Sequence, residues 1–299
     1  MSTPLGVSVP GLIDLHTHST ASDGTLSPVA LVKLAAQRGI SVIAVTDHDT
    51  TAGIDEATRA AATLGVTVIP AIEFSTDVPT GEVHLLGYGI DPLNAGLQEA
   101  TAAFRATREE RARRMLDLLR AIGIDVPADL LPTPGPGMSI GRPHVARALI
   151  SMGVVDSVDE AFARYLMAGR PAYVPRFRLA PERAVHLVLE AGGLPVLAHP
   201  RSAEDLDDLL PRLLAVGLRG LEAFYGEYSN SERDALATMA AAHGLLATGG
   251  SDYHGPDGRE GRDLASVALP EDAWNAMRAA LRQTAWGRFA ASVSDGPLC

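Results

Sequence analysis

Short apolar segments rich in β-branched residues alternate with Ala/Leu-rich segments of helical periodicity along most of the 299-residue chain. This alternation is typical of βα units built around a parallel sheet or barrel, so the sequence predicts an α/β fold. The predicted strands span residues 11–15, 41–46, 67–72, 82–87, 195–198, 220–224, 245–249 and 266–269.

Capping residues indicate where the intervening helices begin and end. Ser27 followed by Pro28 predicts a helix start, and Gly39 predicts its end after Arg38. A second helix is expected over residues 53–64, because Gly65 follows it in the same way. A third, over residues 181–191, precedes the strand that ends at His199.

The alternation breaks between about Asp91 and Val174, where helical patterns follow one another without strands. A Pro/Gly-rich connector over residues 127–137 separates a long helix from two shorter ones, so we interpret this region as a helical insertion. The predicted helices span residues 94–122, 142–152 and 158–167. The long helix has an apolar face that we expect to be packed, formed by Met115, Leu118, Leu119 and Ile122.

The composition indicates a cytoplasmic protein, with 46% apolar and 20% charged residues. The single cysteine, Cys299, excludes an intramolecular disulfide and a thiolate metal cluster, so metal ligands must be nitrogen or oxygen atoms. The first residues do not have the pattern of a signal peptide, and no apolar run reaches the roughly 18 residues of a membrane span. We therefore expect no membrane association.

The net charge of −11 argues against binding long nucleic acid, whose affinity comes mainly from Lys and Arg that neutralise phosphates. A small phosphorylated substrate remains compatible with this charge, because bound divalent cations would reverse the local sign at a site. The sequence leaves the oligomeric state open.

Histidines and carboxylates follow the predicted strands. His16 and His18 come directly after the first strand, where residues i and i+2 point to one side, so both imidazoles can meet one ion. After the second strand, His48 is the expected ligand, since one of its polar neighbours is needed to cap the next helix. Glu73 is a candidate bridge, because its two oxygens can bind two ions.

Further candidate ligands belong to the later strands, namely His84, His199, Asp252 and His254. In parallel α/β architectures ligands gather at the carboxyl ends of the strands, and we expect these side chains at that edge together with the earlier ones. Imidazole and carboxylate are the ligands that hard-to-borderline divalent metals select. The sequence therefore predicts a hydrolase with several metal ions.

The chain resembles the polymerase and histidinol phosphatase (PHP) family over nearly its whole length. The motifs that carry the resemblance are DLHTHSTASDGTLSP, AVTDHDT, AIEFST, EVHLLGYGID, GRPHVARALI, GLPVLAHP and GGSDYHG. They are most similar to those of stand-alone phosphoesterases that act on nucleotides, including 3′,5′-nucleotide bisphosphate phosphatases, AMP phosphatases and an enzyme that trims RNA from its 5′ end.

The resemblance implies a distorted seven-stranded (β/α) barrel of the TIM-barrel-like PHP type, with two to three Mn, Zn, Fe or Mg ions. The barrel would comprise residues 1–92 and 174–299, and residues 93–173 would form an insertion that covers the active site. By motif, the first ion would be held by His16, His18, Glu73 and Asp252, the second by Glu73, His84 and His199, and the third by Asp23, His48 and His254. Asp23 departs from family members that carry His at this position.

Substrate contacts are expected in the insertion and just after it. Arg142 offers a planar fork suited to phosphate, and His144 could hydrogen-bond a phosphate or protonate the leaving oxygen. His254 or a metal-bound water are alternatives for that proton transfer. Arg176 and Arg178 are further phosphate-contact candidates. His186 and His243 are interpreted as structural, and the arginines of the long helix as a solvated face.

The expected reaction is hydrolysis of a phosphomonoester of a nucleoside 3′,5′-bisphosphate or nucleoside monophosphate, by attack of a hydroxide that bridges two ions. One alternative is 5′-3′ trimming of short RNA, which needs an open groove. Hydrolysis of histidinol phosphate is another. A non-catalytic PHP module is the third, although every expected ligand position is filled by His, Asp or Glu.

Overall fold

The computed structural model describes residues 12–78, 81–132, 137–175, 179–256 and 261–292. Within these ranges the chain forms a seven-stranded sheet surrounded by helices. The strands are β1 (Leu12–Thr17), β2 (Ile40–Val45), β3 (Thr67–Val78), β4 (Gly81–Tyr88), β5 (Leu194–Leu197), β6 (Gly220–Tyr225) and β7 (Leu246–Gly250). The helices are α1 (Pro28–Gln37), α2 (Ile54–Ala61), α3 (Ala95–Ala121), α4 (Arg142–Ser151), α5 (Val158–Ala161), α6 (Pro181–Glu190), α7 (Leu206–Ala215), α8 (Asn230–Ala242), α9 (Glu271–Leu281) and α10 (Ala285–Ser292).

The helix boundaries follow from local capping. The Ser27 side chain accepts a hydrogen bond from the backbone of Ala30 at the start of α1, and Gly39 adopts a φ of 74° directly after the helix. Asn94 caps α3 in the same way by accepting from Leu97. α5 continues into a π-helical turn over Phe162–Leu166.

The strands pair in chain order from β1 to β7. The pairs β1/β2, β2/β3, β5/β6 and β6/β7 are parallel, whereas β4 is antiparallel to both of its neighbours. β4 therefore runs against the other six strands. Its first residues consequently lie at the edge where the other strands have their carboxyl ends.

β1 and β7 approach each other at that same edge and nearly close the sheet into a barrel. Thr17 and Tyr253 form a parallel bridge, and the His18 amide donates a 2.8 Å hydrogen bond to the Tyr253 carbonyl. A Cβ at Gly250 would lie 2.4 Å from the backbone nitrogen of His16, so only glycine permits this approach. The α/β barrel expected from the sequence is confirmed.

Hydrophobic clusters hold the layers together. The largest packs the sheet, including Phe74 and Leu221, against α6 and α7. Two others pack the strands against α9 and against α1 and α2. A fourth lies among α3, α4 and α5 and contains Leu119 and Leu149, so the segment between β4 and α6 has an apolar core of its own.

The predicted parallel sheet is mixed, because β4 is antiparallel to both of its neighbours. Two further details of the sequence prediction are wrong. Residues 266–269 do not form a strand; Val267 is buried and Leu269 packs on the cluster under α9 in irregular structure. In α3, Met115 and Leu119 are buried as expected, but Leu118 and Ile122 are 37% and 46% exposed. The buried face of α3 instead includes Ala112 and Arg111, whose Nε donates a 2.7 Å hydrogen bond to the Val174 carbonyl, while Met115 and Leu119 pack on α4 and α5.

Among the described helices, none combines the length and the apolar character needed to cross a membrane.

Candidate metal centre

The structure brings together the nine side chains that the sequence and the family resemblance propose as metal ligands. They reach one edge of the sheet from β3 and β4 and from the residues at or after the ends of β1, β2, β5 and β7. These side chains are His16, His18, Asp23, His48, Glu73, His84, His199, Asp252 and His254.

Glu73 lies at the centre of this cluster and is 1% exposed. Its Oε2 atom lies 3.3 Å from His16 Nε2 and 3.1 Å from His18 Nε2. Asp252 Oδ1 faces the same two nitrogens, at 3.4 Å from His16 and 3.1 Å from His18. Two carboxylates and two imidazoles thus converge on one point.

The other oxygen of Glu73 faces a second group. Glu73 Oε1 lies 2.8 Å from His84 Nδ1 and 3.3 Å from His199 Nε2. His48 Nδ1 lies 3.1 Å from Glu73 Oε2, so His48 stands between this group and the next. The two oxygens of Glu73 therefore face different groups of imidazoles.

A third group forms around Asp23, which is 5% exposed. Asp23 Oδ1 lies 3.3 Å from His254 Nε2 and 3.8 Å from His18 Nδ1, and Asp23 Oδ2 lies 3.9 Å from His48 Nε2. One ligand atom from each of these four residues falls within 4.8 Å of the others. The carboxylate at position 23 is long enough to join this group.

Four of the converging atoms are buried without a hydrogen-bond partner in the described residues: His16 Nε2, His18 Nε2, Asp23 Oδ1 and Glu73 Oε2. Buried polar atoms in native proteins are normally satisfied, and leaving several together would be costly. Nitrogen and oxygen atoms about 3 to 4 Å apart around a common point are what a divalent cation requires. The residues present therefore fit metal ions.

The outer ring nitrogens of the histidines have partners that orient the rings. His16 Nδ1 lies 2.9 Å from Glu222 Oε1, His254 Nδ1 lies 2.8 Å from the Asp252 carbonyl, and His199 Nδ1 lies 3.0 Å from Ser202 Oγ. An acceptor at Nδ1 places the ring hydrogen there and leaves the Nε2 lone pair directed at the centre. Ring orientation and tautomer therefore both favour metal binding.

Asp252 is held from its outer side. Its Oδ2 atom accepts a 2.8 Å hydrogen bond from the Tyr225 hydroxyl and lies 2.6 Å from Arg262 Nη1. Arg262 in turn donates a 2.9 Å hydrogen bond to Glu227 and lies over the Tyr225 ring. These contacts turn Asp252 Oδ1 toward the imidazoles.

The charges of the cluster shift its pKa values strongly. Burial disfavours the charged form of His18, but the nearby carboxylates of Asp252 and Glu73 raise its pKa to about 10. Burial likewise opposes ionisation of Glu73, yet the surrounding imidazoles, with His48 the strongest, hold its pKa well below the usual range. The pKa of His48 falls to about 3 because of burial, although Glu73 and Asp23 oppose the shift.

The amino-acid sequence is similar to those of known proteins. Residues 14–124 match the PHP domain model. A 3′,5′-nucleoside bisphosphate phosphatase of Chromobacterium violaceum is 39% identical over 258 residues, which cover 84% of this chain and 90% of that protein. The chain belongs to the PHP family.

Two further relatives extend this result. A 5′-3′ exoribonuclease of Haemophilus influenzae is 35% identical over 265 residues, covering 86% of this chain and 96% of that enzyme. The crystal structure of a protein described as a metal-dependent phosphoesterase, from Bifidobacterium adolescentis, superposes with a TM-score of 0.82 at 34% identity, over 90% of this chain and 96% of the other. The PHP protein described here is accordingly a metal-dependent phosphoesterase.

Most of the nine clustered side chains line one part of a cavity of about 1110 Å³. Segments from β4 to α6 supply much of its wall, including Arg108, Arg142, Arg147 and Phe162. Tyr225 and Tyr228 line another part. The cavity thus joins a cluster of metal-ligating groups to a wall that carries guanidinium groups and aromatic rings.

Of the residues proposed to contact the substrate, Arg142 lines the cavity and His144 does not. Arg142 lines the cavity, where its Nη2 atom donates a 2.7 Å hydrogen bond to Glu82. His144 is buried at the start of α4 and does not line the cavity; its Nδ1 atom accepts a 3.0 Å hydrogen bond from the Gly141 amide. Arg176 and Arg178 lie outside the described residues.

Arg108 is a cavity residue that sequence analysis missed. It was placed on a solvated face of α3, but its side chain is 15% exposed and reaches the barrel. Its Nε donates a 2.6 Å hydrogen bond to Asp49, and its Nη2 donates a 2.7 Å hydrogen bond to Ser75. Asp49, which follows His48, has a φ of 53°, a conformation that is costly for a residue other than glycine.

Glu222 was also missed as a member of the site. The sequence showed only an acidic residue in a strand, whereas the structure buries it completely beside His16. Its apolar neighbours in β6 were the available signal, because a carboxylate within a buried strand requires partners.

Proposed function

We propose that this protein hydrolyses a phosphomonoester of a nucleotide, namely a nucleoside 3′,5′-bisphosphate or a nucleoside monophosphate. The observation that carries the proposal is the shared cavity, in which the carboxylate and imidazole cluster faces guanidinium groups from the helical segment. Metal ligands on one side and arginines on the other suit a small, multiply charged phosphate ester. The phosphatase relative from Chromobacterium violaceum supports this choice.

Two or three divalent ions, of Mn, Zn, Fe or Mg, would be held by the nine clustered side chains. When bound, such ions lower the pKa of water and neutralise charge on phosphoryl oxygens. The carboxylates of Glu73 and Asp252 fix the relative positions of the imidazoles around them. Arg142 would then hold the phosphate from the opposite wall, with its planar fork suited to two phosphoryl oxygens.

Proton transfer to the departing oxygen is assigned to His254. Of the two candidate histidines, His254 lines the cavity, whereas His144 is buried behind it. His254 Nδ1 is directed at the Asp252 carbonyl, so Nε2 is the atom that faces the reacting groups. Because Nε2 can either bind an ion or donate a proton, His254 would be the proton donor only in a two-ion form of the site, in which the group around Asp23 holds no ion.

The nucleoside would meet the tyrosines. The rings of Tyr225 and Tyr228 lie 4.9 Å apart between centroids, and both residues line the cavity. Because Tyr225 is 3% exposed and has the Arg262 guanidinium over its ring, Tyr228 is the ring that would stack on the base. This placement would set the leaving nucleoside beside the metal cluster.

A second candidate is 5′-3′ exoribonuclease activity on short RNA. The observation that favours it is the 35% identity to the Haemophilus influenzae exoribonuclease over 96% of that enzyme. The net charge of −11 argues against a long RNA, and the enclosing helical segment suits a small ligand better than a continuous polymer.

The test is a phosphate-release and product assay of the metal-loaded protein. It compares nucleoside 3′,5′-bisphosphates, nucleoside monophosphates, histidinol phosphate and 5′-phosphorylated oligoribonucleotides. We expect activity on the mononucleotides that is lost with chelator and in His16→Ala. Cleavage confined to the oligonucleotides would overturn the mononucleotide proposal in favour of RNA trimming.

A further inference from the structure

Glu82 links the helical segment to a proposed metal ligand. It lies near the start of β4, and its side chain is 33% exposed. Glu82 Oε1 lies 2.9 Å from His84 Nε2, and Glu82 Oε2 accepts a 2.7 Å hydrogen bond from Arg142 Nη2. We propose that Glu82 is a positioning residue with two separate contacts: it holds Arg142 on the phosphate-binding side of the cavity and His84 on the metal side.

The metal side of the argument concerns the tautomer of His84. His84 has a carboxylate oxygen at each ring nitrogen, with Glu73 Oε1 2.8 Å from Nδ1 and Glu82 Oε1 2.9 Å from Nε2. If His84 and Glu73 hold the same ion, Nδ1 must offer its lone pair, and the ring hydrogen must reside on Nε2. Glu82 is the acceptor for that hydrogen. It thereby fixes both the rotation of the ring and the nitrogen that faces Glu73.

The substrate side concerns the position of Arg142, which is the first residue of α4. Its guanidinium lies 5.2 Å from the centroid of the Phe162 ring, and its Nη2 donates a 2.7 Å hydrogen bond to Glu82. These two contacts hold the guanidinium in place. A guanidinium has five N–H donors, so Arg142 can hold Glu82 with one edge and a phosphate with another. Loss of Glu82 would release Arg142 from this position.

Glu82 is distinct from the converging ligands. Its Oε1 contacts the His84 nitrogen on the side away from Glu73, whereas the ligand groups form around Glu73, Asp252 and Asp23. The position on β4 explains how it reaches both partners. Because β4 is antiparallel to its neighbours, its first residues lie at the sheet edge that carries the ligand cluster, and Glu82 meets Arg142 at the start of α4 there.

The experiment uses the full-length protein and four variants: Glu82→Gln, Glu82→Ala, Arg142→Ala, and the double variant Glu82→Gln/Arg142→Ala. Glu190→Gln is the matched control, because it breaks an exposed Arg183–Glu190 ion pair of 3.0 Å that lies away from the cavity. For each protein we would measure the binding isotherm of Mn²⁺ or Zn²⁺ to the metal-free form, the kcat and KM of the loaded form on the best nucleotide, and Tm as a check on folding.

The expected results differ between the variants. Glu82→Ala should weaken one metal equivalent by about 10- to 100-fold, the usual effect of removing an acceptor behind a ligating histidine. Glu82→Gln should retain most of that affinity, because its amide oxygen still accepts from His84 Nε2, yet it should raise KM about tenfold through the loss of the Arg142 contact. Arg142→Ala should raise KM with an unchanged metal isotherm. The KM effects of Glu82→Gln and Arg142→Ala should not add in the double variant.

Two results would overturn the proposal. Metal isotherms of Glu82→Ala that match Glu190→Gln would show that Glu82 does not act on His84, and additive KM effects would show that it does not act through Arg142. Complete loss of one metal equivalent in both Glu82→Gln and Glu82→Ala would make Glu82 a ligand. The prediction about KM rests on the proposed function, whereas the metal-binding isotherms need no substrate. A protein that is inactive on every nucleotide would still show the weaker metal binding of Glu82→Ala if Glu82 positions His84.

Discussion

His16 Nδ1 lies 2.9 Å from Glu222 Oε1, and neither side chain is exposed to solvent. The other oxygen of Glu222 accepts a 2.8 Å hydrogen bond from the backbone amide of His199. His199 itself has a φ of 26°, which a non-glycine residue adopts only when its surroundings hold it there. One buried carboxylate therefore sets the orientation of two proposed metal ligands on different strands.

Glu222→Gln should weaken metal binding and destabilise the protein. The two donors face different oxygens of Glu222. Glutamine replaces one of these oxygens by an NH2 group, so one buried donor is left without an acceptor. We expect a loss of about 1–3 kcal/mol in the free energy of unfolding and a fall of about 10- to 100-fold in metal affinity. Urea unfolding and metal titration of the metal-free protein would measure both. A metal isotherm equal to that of Glu190→Gln would contradict this role.

The metal-free protein should lose stability as the pH rises from about 7 to 10. Burial opposes the charged form of His84, but Glu73 and Glu82 raise its pKa to about 9, and the pKa of His18 is raised to about 10. The folded-state pKa values lie above the unfolded value near 6.5, so this stabilisation is fully present below pH 6.5 and is lost as the pH passes through 9 and 10. Urea unfolding of the chelated protein across this range is the measurement. His84→Asn should flatten the profile; an equally steep profile in that variant would contradict the assignment.

Local features of the fold could be predicted from the sequence, whereas strand direction could not. The start of α1 at Pro28 depends on the neighbouring Ser27 cap and was placed correctly. The antiparallel direction of β4 depends on pairing with β3 and β5, which no local pattern records. The wrong strand at residues 266–269 has the same origin, because Leu269 packs under α9 and these residues pair with no strand of the described sheet.

The clustering of the candidate side chains could also be predicted, but His84 joins the cluster for a reason other than the one expected. His84 was expected among residues at the carboxyl ends of strands, yet it lies near the start of β4. It reaches the cluster because β4 runs against the other strands. Arg108 could not be predicted, since an arginine among the charged residues of α3 has the pattern of a solvated face until the packing of the helix on the barrel is known.

Asp23 should be needed for binding of the third ion and not for binding of the other two. Its carboxylate approaches His254, His18 and His48, while the Glu73–Asp252 group does not depend on it. Asp23→Ala should therefore remove one bound ion per chain and leave the tighter ones, and Asp23→His should retain that ion with a different metal preference. Metal analysis after dialysis would show this. An unchanged metal content in Asp23→Ala would place the third ion elsewhere or exclude it.

His144→Gln should affect stability more than catalysis. His144 Nδ1 accepts from the Gly141 amide at the start of α4, and burial lowers its pKa, so the ring is neutral and serves as a helix cap. We expect the free energy of unfolding to fall by about 1 kcal/mol, with kcat close to that of the unaltered protein. Urea unfolding and steady-state kinetics give the two values. A large fall in kcat at unchanged stability and KM would restore His144 as the proton donor.

Arg108 should stabilise the barrel loop that carries His48. Its guanidinium pairs with Asp49, which is 3% exposed, and Asp49 Oδ1 also accepts a 3.1 Å hydrogen bond from the Ser75 amide. Arg108→Met would leave the Asp49 charge buried without its cation, at a cost of about 3 kcal/mol in unfolding free energy. Asp49→Asn removes that charge, so the double variant should be less destabilised than the sum of the single variants. Urea unfolding of the three variants measures the coupling. Additive effects would show that the ion pair does not hold the loop, and Arg113→Met, at an exposed pair on the same helix, is the control.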